Sequence, residues 1–136
     1  MLIVTQKVCR TNAMLLGLIA MGCGADPEQY EITSLSGIVT CEGKPVANAV
    51  VNFTPIADAN RKEGRPGRPA LGRTDESGRF TLTTYENDDG VIIGKHTVTV
   101  GAGFDESTGN NTRFSCADAT KEVTVEAGMR EIKLDF

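Results

Sequence analysis

The chain has 136 residues, with 18 acidic side chains against 14 basic ones, a net charge of −4 and a single histidine. That length suits one domain with a single core, and an acidic balance argues against a nucleic-acid partner, which demands clustered Lys and Arg. No stretch reaches the roughly 20 consecutive apolar residues of a membrane-spanning helix.

The first 22 positions hold Lys7 and Arg10 but no acid, then an apolar run from Ala13 to Met21, then the small residue Gly22. This is the three-part layout of a secretory signal, so export is expected. Cys23 follows Gly22 directly, and "LIAMGC" resembles the bacterial lipobox, in which that cysteine receives diacylglycerol before cleavage. Ala20 stands where lipoboxes usually carry leucine. Sulfur suits the role because it is the strongest nucleophile at a neutral terminus. The competing reading is an ordinary cleaved signal with a chance cysteine.

On the lipoprotein reading, residues 1–22 are the signal, 23–34 a tether and 35–136 the domain. Acyl chains on Cys23 then hold the protein to a membrane in the cell envelope, facing the periplasm or the cell surface. Loss of Lys7 and Arg10 takes the net charge to about −6. Cys9 leaves with the signal and Cys23 carries lipid, so Cys41 and Cys116 remain as either a disulfide or two buried thiols.

The segment "GADPEQYEITS" after Cys23 has no apolar periodicity, and eleven extended residues would reach roughly 35 Å. Period-two alternation begins after it and predicts seven strands at about 35–41, 47–54, 70–75, 79–84, 95–101, 121–126 and 130–136. In "KHTVTVG", His96, Val98 and Val100 share one face. In "REIKLDF", Ile132, Leu134 and Phe136 point inward, as do Phe80 and Leu82 in "GRFTLTT". Turns are expected at "CEGKP" and "DESG", with Gly128 of "EAGMR" opening a last hairpin, while Gly37 and Gly72 inside strands suggest close packing or a bulge. Seven short strands with regularly spaced turns indicate an all-β, antiparallel two-sheet sandwich.

These residues carry a family resemblance. "LSGIVTCEGKPVANAVVNFTP" followed by "GRPALGRTDESGRFTLTTYENDDGVIIGKHTVTV" resembles the carboxypeptidase regulatory-like domain, a transthyretin-like β-sandwich, in the form found in small planctomycete lipoproteins. The resemblance covers most of residues 35–136. It rests on Gly37, Val39, Gly43, Lys44, Pro45, Val46, Ala49, Val51 and Phe53, on Thr74, Asp75, Gly78, Arg79 and Phe80, and on Gly94, Lys95, His96, Val98 and Val100. It implies a fold and a non-catalytic exported module, because each signature residue has a folding role. The segment "GAGFDESTGNNTRFSCADATK", with Cys116 in it, departs from the pattern.

Chemistry is sparse. His96 lies on the apolar parity and reads as a half-buried packing residue, without the nucleophile and acid of a catalytic triad. Cysteine and histidine spacings do not match a zinc site. Oxygen ligands for calcium cluster in "ENDDG", at Glu86, Asn87, Asp88 and Asp89, and in "TDESG", at Asp75 and Glu76, without the EF-hand pattern. No cofactor or enzymatic role is expected. Phe53, Phe80 and Phe136 fall on core parity, which leaves Tyr30, Tyr85, Phe104 and Phe114 as aromatic contacts; Tyr85, Phe104 and Phe114 are the candidates for a protein partner, or for a glycan if they cluster.

If every connection reverses the chain, loops after odd-numbered strands lie at one end and the N-terminus lies at the other. Cys41 and Cys116 then share the far end. The loop "ANRKEGRPGRPALGR" falls at the anchored end, where Arg61, Lys62, Arg65 and Arg68, with Arg73, are candidates for lipid head-group contact; the plainer reading is a flexible Pro- and Gly-rich loop kept soluble by its charge.

Overall fold

The computed structural model describes residues 29–57 and 65–136, and among these there is no helix. The chain is all-β. Seven strands carry the architecture: β2 (Ser36–Cys41), β4 (Ala49–Pro55), β5 (Ala70–Arg73), β6 (Arg79–Thr81), β8 (Gly94–Ala102), β11 (Ala119–Val125) and β12 (Glu131–Asp135). They match the seven expected strands with ends moved by a few residues. Five two-residue strands join them: β1 (Ile32–Thr33), β3 (Lys44–Pro45), β7 (Val91–Ile92), β9 (Phe104–Asp105) and β10 (Asn110–Asn111).

One four-stranded sheet has the order β11-β8-β4-β5. In the other, β2 pairs with β12 on one side and with β6 and then β3 on the other. The expectation of a wholly antiparallel arrangement is corrected at β2 and β12, which pair in parallel with Leu134 opposite Val39. Chain reversal at each of seven strands makes the first and last run the same way, so parallel pairing follows once they become neighbours. The expected last hairpin is also corrected. Gly128 turns the chain, but β11 and β12 lie in different sheets, so the connection crosses between them.

Alternation fixes the core. Val51, Phe53, Val98, Val100 and Val125 from one sheet meet Val39, Phe80 and Leu134 from the other, all nearly or fully buried in one cluster. Phe53 packs against Phe80 at 6.4 Å between ring centroids and against the edge of His96 at 5.8 Å. Gly37 and Gly72 make room for the Phe80 ring. A Cβ on Gly37 would come within 2.7 Å of Phe80 Cζ, and one on Gly72 within 3.3 Å of Cδ2. The expected close packing at these glycines is against backbone first, the Ile132 carbonyl at Gly37 and the Thr81 carbonyl at Gly72, with the Phe80 ring next to both.

The two sheets join along one side through Leu71 and Thr83, which exchange both backbone hydrogen bonds at 2.9 Å. Along the other side the outer strands β11 and β12 are stitched by Lys121, whose ammonium donates to the Asp135 carbonyl and lies 5.1 Å from the Phe136 ring centroid. Their outward residues include Lys121, Glu122, Glu131 and Lys133, all exposed. Charges of this kind discourage edge-to-edge pairing.

The fold begins earlier than the expected boundary at residue 35. Ile32 and Thr33 form β1, paired with β7, so the segment before Leu35 belongs to the fold from Tyr30 onward. A two-residue pairing rests on backbone bonds and leaves no side-chain periodicity to read. The expected signal (1–22), Cys23 and residues 24–28 of the expected tether lie outside the described residues.

Candidate functional site

Following the strands places the described surface features at two ends. The far end holds the turn after β2, the turn before β6 and the long excursion between β8 and β11. The N-terminal end holds β1, β7, the chain entering β5, the loop after β6 and the turn before β12.

At the far end Cys41 and Cys116 form a disulfide with Cα atoms 5.9 Å apart, inside the range such a bridge requires. It pins the excursion to the end of β2. Glu42 and Gly43 both take positive φ, at 53° and 81°, and so close the β2–β3 hairpin with two residues; glycine meets this demand without a Cβ penalty. Ser115 Oγ lies 3.2 Å from Cys41 Sγ and donates to Glu42 Oε2 at 3.3 Å, adding a second tie between the two segments.

Beyond the bridge, β9 and β10 form a small projecting hairpin. Its base is held by Asn48, whose Oδ1 accepts from Arg73 Nε at 2.8 Å and whose Nδ2 donates to Thr112 Oγ1 at 2.7 Å. The Arg73 guanidinium also donates to the Phe104 carbonyl. Arg73 therefore belongs to the far end, correcting its expected place in the basic loop: it closes β5, on the opposite side of the sheet from where that loop begins. Phe104 is 53% exposed, whereas Phe114 is half-buried against the core. Phe104 borders a hollow of about 510 Å³ with Glu76, Asp105 and Glu106, and Phe114 borders a separate one of about 350 Å³ beside Cys41 and Pro45.

Tyr85 does not join them. It follows β6 at the N-terminal end, where its hydroxyl accepts the backbone N–H of Tyr30 at 3.0 Å. The Tyr30 hydroxyl in turn donates to the Arg65 carbonyl at 3.0 Å. The three aromatic candidates are thus divided between two ends and form no common platform. Arg65 and Arg68 are exposed at the N-terminal end, as the alternation of strands predicts; Arg61 and Lys62 lie outside the described residues.

The acidic turns are occupied internally. Asp89 Oδ1 accepts the Thr84 N–H at 2.7 Å, and its Oδ2 accepts those of Tyr85 and Glu86 at 2.9 and 2.8 Å. Partial burial raises this carboxyl, but the amide donations outweigh that and hold it below the usual carboxylate range. Asp75 is lowered by the Ser77 hydroxyl and the Arg79 amide, and Asp105 by the hydroxyl and amide of Ser107. Among the described residues no group of three or more His, Cys, Asp or Glu is disposed to hold a metal ion.

His96 is fully buried rather than half-buried, because β8 is central in its sheet and Phe53 covers the ring. Its Nδ1 donates to the Gly94 carbonyl at 3.0 Å, tying the packed imidazole to its own strand. An open hollow of about 780 Å³ runs along the seam between β5 and β6 and is lined by Val50, Leu71, Arg73, Asp75, Arg79 and Thr81 among others.

Sequence patterning missed the Tyr30–Tyr85 contact and the Asn48–Arg73 support of Phe104. The rule of alternating strands does carry a signal for the first, since Tyr85 follows the fourth expected strand and Phe104 the fifth. Nothing in residue spacing marks Asn48. Compared with protein-family models, curated proteins and solved structures, the chain matches none.

Proposed function

We propose that this chain is an exported bacterial lipoprotein, acylated on Cys23, that displays a non-catalytic transthyretin-like sandwich of the carboxypeptidase regulatory-like type for binding or envelope structure. The observation that carries the reading is the Cys41–Cys116 disulfide, because such bridges persist in the oxidising compartments to which a signal ahead of Cys23 would deliver the chain. Support for the finer fold comes from the seven expected strands, which are the seven longest and divide between two sheets around one core.

The binding role is assigned to the far end, where the bridge and the Asn48–Arg73 network hold Phe104 outward on a fixed hairpin. A protein partner in the envelope suits it better than a glycan, since the three aromatic side chains do not share a sugar-sized platform. Arg65 and Arg68 face the membrane in this reading.

Fractionation of the expressing cell tests the anchor. Wild type is expected with the membranes and Cys23→Ala in the soluble fraction, both with the same unfolding midpoint. Equal distribution of the two removes lipidation from the account.

A further inference from the structure

The proposed anchor and the described fold leave very little chain between them. Six residues, Gly24 to Gln29, separate Cys23 from Tyr30. Across seven Cα steps they carry Tyr30 no farther than about 25 Å from the acylated sulfur, against roughly 35 Å for a tether running to Ser34.

That limit holds because Tyr30 to Ser34 is fastened to several separate parts of the fold. Besides the Tyr85 and Arg65 contacts, Ile32 and Thr33 pair with Ile92 and Val91, the Glu31 carbonyl accepts Ile93 N–H at 3.1 Å, and Thr33 Oγ1 donates to the Met129 carbonyl at 3.2 Å. The Tyr30 ring also lies over Gly67, where a Cβ would come 3.0 Å from ring Cδ2. Tyr30, Tyr85 and the Arg65–Gly67 backbone therefore meet at one place, with the exposed Arg68 next in the chain.

From this geometry, and resting on acylation of Cys23, we infer that the N-terminal end of the domain docks on an anionic bilayer, with Arg65 and Arg68 at lipid phosphates and the half-buried Tyr30–Tyr85 pair in the interfacial zone. Tyrosine and arginine suit that zone because each joins an apolar body to a polar tip. The occupant is a bilayer because the short leash keeps this end beside one, and because basic side chains complement anionic head groups. Glu31, Glu86 and Glu126 lie at the same end, so contact is made through the Arg65–Arg68 side and tilts the domain, with the Phe104 hairpin directed away from the lipid.

The bridge between Cys41 and Cys116 leaves Cys23 as the one thiol of residues 23–136 open to a maleimide lipid, so the chain can be anchored chemically whatever the cell does to Cys23. Anchored chains are compared on phosphatidylcholine vesicles with and without about one-third phosphatidylglycerol. Amide exchange across Arg65–Ala70 and Thr84–Gly90 is expected to slow about tenfold on the anionic vesicles, while Phe104–Asn111 stays unchanged. Arg68→Glu should lose part of the slowing, and Arg65→Glu with Arg68→Glu all of it. Equal exchange on both vesicles, or slowing that survives both charge reversals, overturns the docking while leaving the acylation proposal standing. An unmodified Cys23 in native material removes the anchor and the docking with it.

Discussion

The backbone N–H of Tyr30 donates to the hydroxyl of Tyr85 across 55 positions of sequence, at 3.0 Å. That bond ties the segment before β1 to the sandwich. If Cys23 is acylated as proposed, this bond sets how far the fold can stand from the lipid.

Tyr85→Phe keeps the ring and removes the acceptor. The Tyr30 N–H is then left at a half-buried site without this partner, and the expected loss is about 1 kcal/mol. Urea unfolding checks this: the midpoint should fall while the slope stays constant, because the surface exposed on unfolding hardly changes.

Gly37→Ala is expected to cost about 1–3 kcal/mol, since the added methyl meets the Phe80 ring and the Ile132 carbonyl together. Phe80→Leu alone opens space and also destabilises. Combined, the two should cost less than their sum, because the smaller side chain relieves the crowding that the alanine creates. Strict additivity in a double-mutant cycle would show that the glycine does not exist for the ring.

Replacing Cys41 and Cys116 together by serine should lower stability by about 2–4 kcal/mol, as expected for a bridge closing a loop of 75 residues' separation. Comparing unfolding midpoints of the oxidised wild type and the double variant measures it. Amide exchange should rise most in Thr112–Asp118, the stretch the bridge holds against β2.

Asp75, Asp89 and Asp105 all have carboxyls held below their ordinary value. A folded-state pKa below the unfolded one means that the unfolded chain binds more protons between the two, so stability rises with pH there. Their contribution is fully present above the unfolded value near about pH 4 and is lost as pH falls through the folded values. Stability should therefore be flat from about pH 7 to 5 and fall below about 4. Asp89→Asn should reduce that acid dependence while lowering stability at neutral pH, because its two oxygens accept three backbone N–H groups in one turn.

The long strands were legible because alternation is a property of single residues. His96, Val98 and Val100 face inward, and Lys95, Thr97 and Thr99 do not, as period two requires. The short pairs β1, β7, β9 and β10 left no such trace, since two-residue ladders depend on where the chain is brought, not on which side chains it carries. Tyr85 was grouped with Phe104 and Phe114 on exposure alone. Its chain position, after an even-numbered strand, already separated it from them. The bridge was legible for the same topological reason: Cys41 and Cys116 follow odd-numbered strands and so reach the same end. Burial of His96 went further than parity could say, because parity gives a face and not the depth set by a central strand.

The central claim is acylation of a single sulfur, and intact-mass spectrometry of the protein taken from its native membranes tests it most directly. The account predicts a chain beginning at Cys23 with its thiol converted to a diacylglyceryl thioether and two hydrogens missing at Cys41 and Cys116. A chain that begins elsewhere, or a Cys23 found as a free thiol, would contradict it.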